Sequence, residues 1–214
     1  MPTEVLTAKG RQTRAAIEQA ARKLFAERGF HGTTLADIMS AAGKSAAVFY
    51  RYFADKEDLL AALAESFLHD VVTPSGLSLH LPDSPPQAGG TPTDDDNFFT
   101  AVVTGYWNIF RQNIGIMIAV AQLAATQHRF AAVQNEFRRF GMDIVAASVR
   151  RAQEQGYGAE LNPQHTAAAI ALLFENFTTV FVGPSGPGGL GLEISDEDAI
   201  ATLSTVWKKT VYGA

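Results

Sequence analysis

The chain has 214 residues, of which 47% are apolar and 18% charged, enough to fill one large core or two small ones and too apolar for a chain disordered throughout. It has no cysteine, which excludes a disulfide scaffold, cysteine-ligated zinc, an iron–sulfur cluster and a cysteine nucleophile. Its net charge of −5 hides an asymmetry: residues 1–53 hold eight basic and four acidic side chains, a net of +4, so the rest carries −9.

Taken in chain order, most of the sequence reads as helix. Residues 11–28 place Ile17, Ala20, Ala21, Leu24 and Phe25 at helical spacing, and Gly29 suits the left-handed position after the last turn. Thr33 and Thr34 offer N-caps for a short helix over 34–42 with Leu35, Ile38, Met39 and Ala42 on one face. Gly43 breaks the pattern. Ser45 then opens a third short helix over 45–53, in which Val48, Phe49, Tyr52 and Phe53 are apolar or aromatic. Asp55 starts a fourth, with Asp58 three residues on as a capping box and Leu59, Leu60 and Leu63 on the buried side.

Residues 73–97 hold five of the nine prolines and three glycines, which predicts a long mobile loop ending in an acidic first turn for the next helix. Helical composition returns from Phe98 to Gln155, with breaks predicted near Asn113–Gly115 and Thr126–Arg129. Pro163 opens an apolar helix over 163–182. A glycine-rich loop follows at 182–191, and Ser195 or Asp196 caps a last helix reaching about Tyr212. The architecture expected is all-α: an N-terminal three-helix bundle over 1–55 with a helix-turn-helix, and a larger C-terminal bundle over 56–214.

Two short helices joined by about three residues around Gly43 fit a helix-turn-helix, whose second helix enters a DNA major groove. On spacing alone they equally fit an αα-hairpin inside a bundle. If Val48, Phe49, Tyr52 and Phe53 face inward in part, the outer face shows Lys44, Ser45, Ala46, Ala47, Tyr50 and Arg51. Small residues on an exposed helix face suit a surface against which something packs. A basic head on an acidic body points the same way, to a polyanion met by the head alone.

Residues 11–63 resemble the DNA-binding domain of the TetR family, the tetracycline-repressor-like transcriptional regulators. The resemblance rests on Ala20-Ala21-x-x-Leu24-Phe25-Ala26-Glu27-Arg28-Gly29-Phe30, on Gly32-Thr33-Thr34-Leu35-x-Asp37-Ile38, and on Ala41-Ala42-Gly43. Phe49-Tyr50-Arg51-Tyr52-Phe53 and Asp55-Lys56-Glu57-Asp58-Leu59-Leu60 complete it, in the family's order and spacing. It implies a homodimeric repressor with a DNA-reading head and a C-terminal bundle that binds an effector. By position, Thr34, Tyr50, Tyr52 and Lys56 resemble phosphate contacts, and Lys44 and Ser45 lie where the recognition helix starts. The family often has Lys-Gly at the positions of Ala46 and Ala47 and Thr at Val48. The missing cation weakens the electrostatic share of affinity, and Arg51 either compensates or is a solvated charge.

In the C-terminal part Arg111 is the lone charged side chain between Asp96 and Arg129, among many aromatics. Trp107, Phe110, Met117, Phe137, Phe174 and Phe177 are candidate walls of an apolar effector pocket, with Arg111, Gln122 and Asn176 as candidate polar contacts. The resemblance implies that helices over about 164–182 and 196–211 pair with those of a second copy; Ala168, Leu172, Thr179, Ile200, Leu203, Val206 and Trp207 are the candidate surface.

No cofactor, metal or membrane partner is expected. The five histidines form no HExxH pair, GPSGPGGLG at 183–191 lacks a Lys-Ser/Thr ending and is followed by acids, and no Gly-x-Ser-x-Gly elbow occurs. The start MPTEVLTAKGRQTR has no apolar h-region, and no run of about 18 uninterrupted apolar residues occurs. The expectation is a cytoplasmic, ligand-responsive regulator of transcription that is not an enzyme. The alternative is a helical ligand-binding or adaptor protein with weakened DNA binding, for which Ala46 and Ala47 speak.

Overall fold

The computed structural model describes residues 7–72, 95–183 and 191–213, and the described residues form helices without strands. In chain order these are α1 (Ala8–Arg28), α2 (Leu35–Ala41), α3 (Ala46–Phe49), α4 (Lys56–Val72), α5 (Asp95–Gln112), α6 (Ile114–Ala124), α7 (His128–Glu154), α8 (Pro163–Val182) and α9 (Asp196–Tyr212). The predicted mobile loop over 73–97 lies largely outside the described residues, as do residues 184–190 of the glycine-rich loop.

The chain divides into two packing units, one of Met1–Phe67 with Asn113–Ala131, the other of Leu68–Gln112 with Ala132–Ala214. The first unit thus takes in α6, which the sequence pattern leaves within a C-terminal bundle. In it, α1 packs on α2 and on α6, and α2 packs on α3. Ile17, Ala20, Ala21, Leu24 and Phe25 form the buried stripe of α1. Each large side chain of such a stripe contributes about 2 kcal/mol by leaving water. The contact with α6 needs a residue without a side chain. A Cβ on Gly115 would stand 2.5 Å from the Ala26 nitrogen and from the Phe25 carbonyl carbon.

Helix ends follow the capping residues. Thr7 caps α1 by accepting from the Gly10 amide at 3.2 Å, so the helix starts before the predicted residue 11. Thr34 and Asp37 complete a capping box on α2. Asn162 accepts from the Gln164 and His165 amides ahead of Pro163, and Ser195 accepts from the Asp198 amide. The breaks at 113 and 125–127 fall where the sequence predicts them.

The third helix differs from its prediction. It is α-helical over Ala46–Phe49 and continues to Tyr52 as turns, with Arg51 and Tyr52 amides donating to the carbonyls three residues back. Val48, Phe49, Tyr50, Tyr52 and Phe53 are β-branched or aromatic and poor helix formers. Phe49 and Phe53 are both held in the core, their ring centres 5.5 Å apart.

The second unit is built on α5, α7, α8 and α9, with α9 against α5. Its core joins Phe99, Val103 and Trp107 to Val145, Ala146 and Val149, and to Ala167, Ile170 and Phe174. From α9 come Ala199, Leu203, Trp207 and Val211, four residues apart on one face. The Trp207 indole donates to the Ser148 hydroxyl at 3.1 Å, which itself donates to the Val145 carbonyl at 2.7 Å. The α8 helix has an 18-residue window of mean hydropathy 1.3, long and apolar enough to cross a membrane by length and composition.

Candidate nucleic-acid interface and ligand site

The turn between α2 and α3 is fixed by its backbone. Gly43 has φ 63°, its amide donates to the Ser40 carbonyl at 3.1 Å, and the Lys44 amide donates to the Met39 carbonyl at 3.0 Å. Both bonds together make a Schellman end, in which the residue after the cap must be left-handed, and glycine enters that region without strain. The motif stops α2, leaves Lys44 exposed and sets Ser45 as the N-cap of the next helix. Ser45 takes the N-cap conformation, yet its hydroxyl makes no capping bond and remains exposed.

Lys44, Ser45, Ala46, Ala47, Tyr50 and Arg51 are all exposed and share the outer side of this segment, while Val48 and Tyr52 are half-buried and Phe49 and Phe53 buried. Tyr50 is 64% exposed, a high value for a large ring, and it packs edge-on against Phe49 with centroids 5.6 Å apart. The surface offers two cations, two hydroxyls and two small side chains. Such groups suit phosphate contact and close approach to base edges.

Behind this face the polar groups are engaged. The buried Thr33 hydroxyl lies 2.8 Å from the Gly29 carbonyl and 3.2 Å from that of Leu24. Thr34 donates its amide and hydroxyl to Asp37. Those bonds, with the Arg28 charge nearby, hold the Asp37 carboxyl below the usual carboxylate range. The half-buried Lys56 ammonium donates to the Phe30 and Thr33 carbonyls at 2.7 Å each and stands 4.2 Å from the centre of the Phe30 ring. Desolvation lowers its pKa, opposed by neighbouring Glu57. Two of its three N–H groups therefore lock the turn ahead of α2, and one remains for an outside acceptor.

In the second unit Trp107 and Phe110 of α5 and Phe174 of α8 are buried and Phe177 is half-buried. Trp107 lies 6.4 Å from Phe177 between ring centres, and Tyr106 lies 5.7 Å from Phe110 and 5.8 Å from Phe174. Thr178 is fully buried on the same face of α8 as Phe174 and Phe177. Three buried polar atoms here, the Tyr106 hydroxyl, the Trp107 indole nitrogen and the Thr178 hydroxyl, have no hydrogen-bond partner. The Tyr106 and Thr178 hydroxyls lie beside one another without a well-formed bond. Burial pushes the Tyr106 phenol well up, the Thr178 hydroxyl works against that shift, and the Glu175 charge adds to it.

Comparison with known proteins bears on both regions. Residues 17–63 match the sequence profile described as bacterial regulatory proteins, tetR family. Over 72 residues the chain is 38% identical to the HTH-type transcriptional repressor AcnR of Corynebacterium glutamicum, a match spanning 32% of this chain and 38% of that repressor. It is 25% identical over 199 residues to the HTH-type transcriptional regulator EthR of Mycobacterium tuberculosis, covering 92% of this chain and 86% of that one. Residues 17–63 form a TetR-family domain. A solved structure of FadR from Bacillus subtilis in complex with stearoyl-CoA superposes with a TM-score of 0.64 at 17% identity, covering 94% of this chain and 98% of that one, and shows a shared fold.

The candidate ligand residues separate. Trp107, Phe110, Phe174 and Phe177 come together, and Phe137 is half-buried on α7. Met117 and Gln122 lie on α6 in the first unit, and Gln122 is exposed. Arg111 is exposed and pairs with Asp196. Asn176 is exposed beside Leu172, Leu173 and Val180, and its amide donates to the Leu172 carbonyl at 3.0 Å. None of these three polar side chains joins the aromatic cluster. The polar groups that do join it, Tyr106 and Thr178, were hidden in the sequence because a hydroxyl in an apolar helix reads as one more core residue.

On the outer faces, Leu172 and Val206 are exposed, whereas Leu203 and Trp207 are spent in their own core and Ala168, Thr179 and Ile200 are half-buried.

Proposed function

We infer that the chain is a DNA-binding transcriptional regulator of the repressor type, released from its operator by a small, largely apolar effector. The observation that carries this reading is the exposed row Lys44, Ser45, Ala46, Ala47, Tyr50 and Arg51 behind a Schellman-ended α2. Thr34, Tyr52 and the remaining N–H of Lys56 serve as further phosphate contacts. The DNA-reading part is residues 1–55 and the effector-binding and dimerising part 56–214. The aromatic cluster around Trp107 and Phe177 receives the effector; the stearoyl-CoA held by the Bacillus subtilis FadR supports a ligand-responsive second part.

The working form is a homodimer. Leu172, Leu173 and Val180 on α8 and Val206 on α9 are exposed large apolar side chains, which suit burial against a second copy. Two heads on one dimer then read two half-sites whose spacing matches the DNA repeat. The working place is the cytoplasm, with the DNA, and the role is regulation rather than catalysis.

The test is fluorescence anisotropy of labelled promoter fragments from the protein's own gene neighbourhood, across a salt series. Affinity should fall steeply with salt, as phosphate neutralisation requires. Arg51→Ala and Tyr50→Ala should weaken binding by about 1–3 kcal/mol each. Lys56→Ala should weaken binding on every sequence and also lower thermal stability, because the ammonium holds two backbone carbonyls. Binding that ignores both salt and these substitutions would sink the DNA-reading assignment.

A further inference from the structure

The buried polar groups of the second unit define what kind of molecule it takes. The Trp107 side chain is 2% exposed and Thr178 fully buried, and the Tyr106 hydroxyl is inaccessible to solvent. None of the three makes a well-formed hydrogen bond within the protein. Such groups are costly to bury, and native cores seldom keep them without a reason. The same unit shows that the fold can satisfy an indole when only packing is at stake: Trp207 meets Ser148, which in turn meets a carbonyl.

The arrangement has a direction. Tyr106 touches Phe110 and Phe174, Trp107 touches Phe177, and Thr178 follows Phe177 on the same helix. Two hydroxyls side by side can share one mutual hydrogen bond at most, which still leaves one O–H and the indole N–H without an acceptor. The cluster is therefore rich in donors, and the complement of a donor pair is an oxygen with two lone pairs. A charged oxygen is disfavoured. Glu175 lies on the same helix, and its negative charge acts on Tyr106. Arg138, the cation that meets this helix, is already engaged by Glu175 through a fork with bonds of 2.6 and 2.8 Å, and Gln134 adds a third bond at 2.9 Å.

We propose that the effector is an uncharged apolar molecule bearing a carbonyl group, whose oxygen accepts from Tyr106 and Thr178 while its hydrocarbon part lies among Phe110, Phe174 and Phe177. Trp107 supplies the neighbouring third donor. This rests on the reading that the aromatic cluster receives the effector, and adds to it the ligand's chemical class. The hydroxyls are the specificity element: an oily molecule without the oxygen leaves them unsatisfied, and a carboxylate finds Arg138 already engaged by Glu175.

The experiment titrates the full-length protein with three series of matched chain length: 2-alkanones, the isosteric 2-methyl-1-alkenes and the fatty acids. Binding is read by calorimetry and by tryptophan emission. The ketone should bind about tenfold tighter than its alkene, the difference that one additional good hydrogen bond makes. Its carbonyl stretch in the infrared should fall on binding. Tyr106→Phe and Thr178→Val should each remove most of the tenfold preference and return the stretch toward its unbound value. Unliganded melting temperatures should hold or rise, since both substitutions delete an unpartnered hydroxyl, and this shows that the variants fold. Equal affinity for ketone and alkene, with both binding, overturns the carbonyl assignment and leaves the apolar effector site standing. Tighter binding of the fatty acid overturns the uncharged assignment. No binding of any series at any length overturns the effector site itself, and this proposal with it.

Discussion

In the first packing unit the buried Thr33 hydroxyl has two carbonyls within reach, and the Lys56 ammonium spends two donors on the same turn. In the second, Tyr106, Trp107 and Thr178 are left with buried polar atoms that make no well-formed hydrogen bond. The two regions are comparably helical and comparably aromatic, so secondary structure and composition do not explain the difference. The tasks proposed for them do. A surface that is to read DNA through Lys44 to Arg51 must present them in one geometry, and every internal hydrogen bond behind that face removes an alternative geometry. A site that admits a guest must keep something for the guest to complete, at a cost to the empty protein.

The comparison breaks first at Gly115. In the first unit its bare Cα permits α6 to lie against the backbone of α1, with Phe25 and Ala26 too close for a Cβ. Arg22 of α1 also donates to the Asn113 side chain at 3.0 Å, at the start of α6. Gly115→Ala should destabilise this unit by about 3 kcal/mol, the upper range for overpacking, because backbone rather than a flexible side chain must give way. Urea denaturation followed by circular dichroism measures it. A loss under about 0.5 kcal/mol, typical of a neutral surface change, would mean that the first unit is looser than its hydrogen bonds indicate.

A matched pair of hydroxyl deletions sharpens the contrast inside the second unit. Ser148→Ala strands the Trp207 indole and should cost about 2 kcal/mol, the penalty for a newly unsatisfied buried donor. Thr178→Val deletes an equally buried hydroxyl that makes no well-formed bond, and should cost little or stabilise. Thermal melts of the two variants beside wild type decide it. Equal losses would show that Thr178 is satisfied in solution and that the unit keeps no polar vacancy for a ligand.

How much of this was legible follows the same division. The head could be read nearly to the residue, because its devices are local: a threonine with an aspartate three residues later, a glycine after the last turn, small residues at an outward register. The ends of α8 and α9 were equally plain from Pro163 and Ser195. One local reading went astray. The third helix is shorter than its pattern, because its residues are poor helix formers and Phe49 and Phe53 are anchored in the core. The packing of α6 on α1, far earlier in the chain, was signalled only by one glycine in an apolar helix. The ligand residues were the least legible. Arg111 and Asn176 interrupt apolar stretches as buried polar groups would, yet one pairs with Asp196 and the other lies on an outer face of α8. Helical register alone does not say which face of an apolar helix looks inward when both faces are apolar.

The smallest expected effect tests whether the head's rigidity depends on ionisation. Asp37 accepts from the amide and hydroxyl of Thr34, and these bonds lower its pKa from the ordinary 3.8. A carboxyl with a depressed folded value contributes stability that is fully present above the unfolded value and fades as the pH falls through the folded one. Near neutral pH the contribution is therefore constant, and its loss begins below about pH 5. Asp37→Asn keeps the shape and removes the charge. The advantage of wild type over this variant should hold from pH 7 to pH 5 and shrink steadily below that. Because the box is exposed, the loss should be local: amide exchange at Leu35 to Asp37 should quicken before the global melting temperature moves. Emission from Trp107 and Trp207, both in the second unit, should stay unchanged over the same range. A wild-type advantage that persists undiminished at pH 3 would show that the neutral acid caps α2 as well as the carboxylate, and that geometry alone holds the head in its reading form.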